Sequence, residues 1–119
     1  YTQMWINRAG LQDCVQLVLG SSSDSTMPAA ALDYHGAKPQ LVFIDSSHQY
    51  QHTVDELDLW WPALAAGGLI GLHDVSVFAQ GFDSTRKGGV ISAARDWANH
   101  KGVSGFLMND FVTEGMHPD

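Results

Sequence analysis

Two apolar periods alternate along this chain, and they divide it into elements. "YTQMWINRAGLQ" places Met4, Trp5, Ile6 and Leu11 at helical spacing, with Gly10 able to close the helix in a left-handed conformation. "CVQLVLGSSSD" reads as a strand of apolar and β-branched residues, stopped by Gly20 and a serine cluster. An Ala-rich stretch with Pro28 and Pro39 predicts a short helix and a loop. "LVFID" is apolar on both faces, the pattern of a parallel strand covered by helices on each side. In "HTVDELDLWW" the Thr53/Glu56 pair has the form of a capping box, and Val54, Leu57, Trp60 or Trp61, and Leu64 form an apolar stripe. Pro62 should end or kink that helix, and Gly67 with Gly68 turns the chain into a further strand, "LIGLHD". After a glycine-rich loop, Val90, Ile91, Ala94, Trp97 and Ala98 mark the inner face of another helix, closed by Gly102. "VSGFLMNDFVTEGM" predicts an antiparallel strand pair about Asn109-Asp110.

The alternation of strand and helix predicts a single α/β domain over residues 1–119 with a largely parallel sheet. Composition narrows the partners. Six basic against thirteen acidic residues give a net charge of −7, the wrong sign for a nucleic-acid groove or an anionic membrane surface. Cys14, the one cysteine, lies in an apolar run and reads as a buried structural thiol, which fits a reducing, cytoplasmic setting. There is no signal peptide and no twenty-residue apolar span.

In parallel sheets ligands collect at the carboxyl ends of strands. Two strands here end in ionisable residues at that edge: Asp45 with His48 three residues on, and His73 with Asp74. Carboxylate and imidazole donors converging from separate strand ends suit a divalent cation, and Asp45, His73 and Asp74 would make a facial set. The same residues would also serve as turn caps with the histidines bonded to backbone carbonyls. His48 is a candidate general base or a solvated loop histidine. Ser22 and Ser23 are equally natural as helix caps and as ligand contacts. Trp61 is assigned to the core, and His35, His52, His100 and His117 to surface or structural roles.

"KPQLVFIDSSHQYQHTVDELDLWWPALAAGGLIGLHDVS" resembles the centre of class I S-adenosylmethionine-dependent methyltransferases, in the branch of small-molecule O-methyltransferases that includes the catechol and caffeoyl-CoA enzymes. The resemblance runs from about Leu11 to Leu107. It implies a Rossmann-like sheet whose usual first two strands, with the glycine-rich cofactor loop, would precede Tyr1, so that this chain would be the C-terminal portion of the domain. It also implies S-adenosylmethionine as cofactor, bound through Gly20, Ser22, Ser23 and Asp45. A divalent cation, Mg²⁺ by family habit, falls on Asp45, His73 and Asp74, where His73 replaces the acidic residue of the catechol branch. The family's catalytic lysine position is taken by His48. The implied reaction is methylation of a small-molecule hydroxyl. The alternatives are a non-catalytic module that needs a partner to complete the cofactor site, and a metal-dependent hydrolase. Strands lacking their neighbours would expose apolar edges, from which a homo-oligomer is expected.

Overall fold

The computed structural model describes residues 1–103. The expected antiparallel pair about Asn109-Asp110 lies outside the described residues. Six main elements follow one another: α1 (Thr2–Arg8), α2 (Met27–His35), β1 (Leu41–Ile44), α3 (Tyr50–Trp60), β2 (Leu69–Leu72) and α4 (Gly89–Lys101), with a 3-10 turn at Phe78–Phe82. The two strands pair in parallel, Leu41 opposite Leu69 and Ile44 opposite Leu72. A parallel pair needs a crossover, and α3 supplies it.

The core lies on one face of this sheet. Ile44 packs with Leu57 of α3 and with Ala94 and Trp97 of α4, and Val42, Ile70 and Leu72 close the cluster from the sheet side. Period-two alternation therefore sends Val42 and Ile44 inward and Leu41 and Phe43 outward. The outer face is bare: Leu41, Phe43 and Leu69 are each more than 60% exposed. The expectation of helices on both faces is corrected for the described residues. Apolar residues on both faces of "LVFID" are real, but among the described residues only one face is covered.

Other local expectations divide in the same way. α1 ends before Gly10, whose φ of 68° is the left-handed closure expected there. Pro28 sits in the first turn of α2, where its missing N–H costs nothing. The stretch 14–19, expected as a strand, belongs to no strand: the described sheet pairs β1 with β2 alone, and these residues join no ladder. Val15, Leu17, Val18 and Leu19 are consequently exposed, and so is Cys14, against the expectation of a buried thiol.

The capping box is also corrected. α3 begins at Tyr50 after an extended Gln49, and Thr53 is already inside it, its hydroxyl donating back to the Gln49 carbonyl at 3.1 Å. Trp61 meets Trp97 edge to face at 5.5 Å but is still 39% exposed, so it borders the core. Gly67 and Gly68 are needed for different reasons. Gly67 has φ of 78°, and a Cβ on Gly68 would lie 2.9 Å from the Ala65 carbonyl oxygen. The turn they make lets the Leu69 N–H reach the Gln40 carbonyl and start the ladder.

Candidate active site

Strand register builds the site. Ile44 pairs with Leu72, and the His73 N–H donates to the Ile44 carbonyl at 3.0 Å, which extends the ladder one step beyond the assigned strands. Asp45 and His73 are thereby brought to the same sheet edge. His73 Nδ1 lies 3.6 Å from Asp45 Oδ1 and 3.1 Å from Asp74 Oδ2. His48 Nε2 lies 2.8 Å from Asp74 Oδ2 and 3.4 Å from Asp45 Oδ1. All four residues singled out in the sequence thus meet. Donor atoms of Asp45, His48 and Asp74 fall within 4.8 Å of one another, the spacing of a cation site. His73 reaches the same two carboxylates from the outer side, its ring edge-on to Phe43 with the ring centroids 6.2 Å apart.

Two of these residues carry backbone strain. His48 has φ of 59° and Asp74 φ of 52°, the left-handed region that side chains with a Cβ enter at a cost of about 1 kcal/mol or more. Surrounding contacts hold them there. Gln49, next to His48, bonds the loop after β2 on both sides of its amide: its nitrogen donates to the Phe82 carbonyl at 3.0 Å, and its oxygen accepts from the Ser84 N–H and hydroxyl. Phe82 faces the His48 ring at 5.6 Å.

That loop is organised around Asp83, which is 3% exposed. Its carboxylate accepts from the Thr85 N–H and hydroxyl, from the Lys87 N–H, and from the Gly89 N–H that opens α4. Burial alone would raise its pKa and is the largest single influence, but the Thr85 hydroxyl and the Gly89, Thr85 and Lys87 amides together outweigh it and hold the group down at about 2. An open cleft of about 490 Å³ runs along this loop, lined by Gln80, Ser84 and Arg86 among others. Nothing in the sequence reading singled out Asp83 or Gln49. The density of Ser, Thr and Gly after an acid was the available signal.

A second, smaller pocket of about 240 Å³ lies between Val18, Gly20, Ser22, Met27, Ala31 and Trp60. Trp60 of α3 fixes its rim, its Nε1–H donating to the Ser22 carbonyl at 2.8 Å. Gly20 and Ser22 line it. Ser23 instead pairs with Ser21, hydroxyl to hydroxyl at 3.0 Å, and Asp45 belongs to the strand-end cluster. The serines do not cap α2. The N-cap position is Thr26, which makes no side-chain cap bond, and Asp24 closes the turn just before it, accepting from the Thr26 N–H and hydroxyl, bonds that lower its pKa, the backbone one first. His52, read as surface or structural, proves to touch both Ser22 Oγ, at 3.3 Å, and Glu56 Oε1, at 3.4 Å. Both contacts use Nε2. A hydrolase-type relay needs one partner on each ring nitrogen, so this Ser, His and Glu do not form one.

An α/β layout with an acid and imidazole cluster at the carboxyl edge of a parallel pair is the layout of a Rossmann-like domain. Residues 1–75 match the family model described as a methyltransferase domain, and the chain belongs to that family. The matched span takes in the serine loop, both strands and the whole acid and imidazole cluster, and ends where the loop around Asp83 begins. Searches of curated proteins and of solved structures find no match. The family carries S-adenosylmethionine as its methyl donor. Among the described residues no helix is long and apolar enough to cross a membrane.

Proposed function

We propose that the chain is part of a cation-assisted S-adenosylmethionine-dependent O-methyltransferase acting on a small-molecule hydroxyl. The observation that carries this reading is the meeting of Asp45, His48, His73 and Asp74 within a family of methyltransferases. Two carboxylates and two imidazoles are paired only with one another among the described residues, with no Lys or Arg to balance the acids. That donor set fits a divalent cation, with Mg²⁺ expected from the resemblance and the imidazole widening the choice toward Mn²⁺ or Zn²⁺.

Asp45 and Asp74, with His73 as the resemblance implies, would hold the cation, which would supply Lewis acidity toward the acceptor hydroxyl, although the donor atoms within 4.8 Å of one another are those of Asp45, His48 and Asp74. His48 is the general base. A carboxylate can only accept, so the hydrogen bond to Asp45 Oδ1 at 3.4 Å would put the proton on His48 Nε2 and leave Nδ1 as the basic nitrogen, and the nearby Asp74 carboxylate would stabilise the imidazolium after proton uptake. Gly20 and Ser22 receive the cofactor's adenine side in the small pocket. When bound, S-adenosylmethionine would supply the methyl group to the acceptor oxygen and leave as S-adenosylhomocysteine, and the chain would contribute chiefly by holding the two reactants together. The loop from Val75 to Gly89, with its cleft, borders the acceptor.

Calorimetry and methyl-transfer assays on the full-length protein test this. Asp45→Ala should abolish cation binding and cation-dependent turnover. His48→Ala should lower kcat by about 10²- to 10⁴-fold with cation affinity preserved; loss of cation affinity instead would make His48 a ligand. Absence of any heat with S-adenosylmethionine in the presence of cation would end the reading. The bare sheet face favours a second one, a module that associates through Leu41, Phe43 and Leu69 with a second copy, and that outcome would show association without cofactor heat.

A further inference from the structure

Glu56 is completely buried, yet the proposed reaction makes no use of it. Ionised side chains are among the costliest groups to enclose, and are kept inside where their oxygens hold something. Glu56 Oε2 accepts from the Ser46 hydroxyl at 2.8 Å, and Ser46 directly follows Asp45. Its other oxygen, Oε1, has no hydrogen bond of good geometry, and faces His52 Nε2 at 3.4 Å. The same nitrogen lies 3.3 Å from Ser22 Oγ, on the rim of the small pocket. One side chain in the middle of α3 therefore stands between the loop that carries Asp45 and His48 and the loop that carries Ser22.

The proton assignment follows from the acid. The buried carboxylate oxygen faces His52 Nε2 at 3.4 Å without a hydrogen bond to it, and its negative field favours a hydrogen on that nitrogen, which is then donated to Ser22 Oγ at 3.3 Å. Ser22 then accepts on that side and keeps its own hydrogen free to donate. We propose that Glu56 is a positioning residue that ties the strand-end loop to the cofactor loop, and through His52 presents the Ser22 hydroxyl as a donor to an acceptor atom of the bound cofactor's ring. The assignment of ligand rests on the methyltransferase reading; the bridge itself does not.

The experiment uses the full-length protein with two readouts. Nitrogen NMR of the His52 ring reports its tautomer, and calorimetry gives the affinity for S-adenosylmethionine. Wild type should show His52 protonated at Nε2, and Glu56→Gln should redistribute that proton. His52→Gln and Ser22→Ala should each weaken S-adenosylmethionine by about fivefold to tenfold, one hydrogen bond's worth. The His52→Gln loss should vanish in a Glu56→Gln background, whereas the loss from Trp60→Phe, which grips the same loop without Glu56, should persist there unchanged. A wild-type His52 protonated at Nδ1, or a His52→Gln loss undiminished beside Glu56→Gln, overturns the proposal. Should Glu56→Gln fail to fold by thermal melting, Ser46→Ala and His52→Gln each cut one arm, and non-additive losses of affinity in the double variant support the bridge while strictly additive ones refute it. If wild type gives no heat with S-adenosylmethionine, the methyltransferase reading falls, and the NMR arm alone supports or overturns the bridge.

Discussion

Replacing Asp83 with Asn tests whether one buried carboxylate organises the loop beside the site. The change keeps shape and removes an acceptor: an amide offers one oxygen where the carboxylate offers two, so two of the four donors from Thr85, Lys87 and Gly89 lose their partner. The pH dependence follows from the lowered pKa. In the folded chain Asp83 titrates at about 2 against an ordinary value of 3.8, so the unfolded state binds more protons between those values and stability rises with pH across them. The contribution is present above about pH 4 to 5 and is lost as pH falls through the folded value. A drop of this size corresponds to about 2 kcal/mol at full weight. The loop lies near the surface, where solvent screening reduces it to about 1 kcal/mol or a little more. Urea unfolding of wild type and Asp83→Asn across pH 7 to 2.5 reads it. At neutral pH the variant should lose about 2 kcal/mol, roughly 1 M in urea midpoint, and the gap should shrink by about half toward pH 2.5. A gap that stays constant with pH refutes the claim that the four hydrogen bonds favour the charged form.

Two further changes probe the core and the small pocket. Leu57→Ala empties a nearly fully buried position between the sheet and α4 and should cost about 2 to 5 kcal/mol in chemical unfolding, with cation affinity unchanged wherever the protein is folded. Gly20→Ala places a Cβ 2.7 Å from Met27 Sδ and Cε; the flexible methionine can yield, so stability should change by less than about 1 kcal/mol while S-adenosylmethionine affinity falls as the pocket closes. A stable variant with unaltered affinity would remove Gly20 from the cofactor site.

Much of the site was legible because it depends on short-range pattern. "LVFID" and "LIGLHD" announce strands that end in acid and imidazole, and the intervening α3 stripe fixes which face is covered, so the convergence of Asp45 and His73 follows from pairing two strands in parallel. What escaped depends on partners distant in sequence. The stretch 14–19 has the composition of a strand, but a strand exists only beside another, and composition does not say whether a neighbour lies there. Thr53 and Glu56 match a capping box in spacing, yet the helix starts earlier because Gln49 is held extended by the loop at Phe82 and Ser84, and the glutamate turns inward to Ser46. His52 was invisible for the same reason. Its meaning comes from Ser22, thirty residues away.

The bare sheet face is not independent of this chemistry. Phe43 points outward with 61% of its surface exposed, yet it reaches the His73 ring edge to face, and Gly71 opposite it in register leaves room for it: a Cβ there would lie 3.0 Å from Phe43 Cδ2. Covering that face with a second copy would bury Leu41, Phe43 and Leu69 together, and because Phe43 borders His73, association and cation binding would then be thermodynamically linked. Phe43→Ser is the direct perturbation, since it removes the aromatic and leaves the inner core face untouched. Sedimentation should show wild type shifting to a larger species as its concentration rises and Phe43→Ser remaining a monomer, while calorimetry should show cation affinity that depends on concentration in the former and not in the latter. Wild type that stays monomeric at every concentration rules out the second copy. Association with cation affinity indifferent to it breaks the link through His73 and leaves Phe43 a contact residue alone.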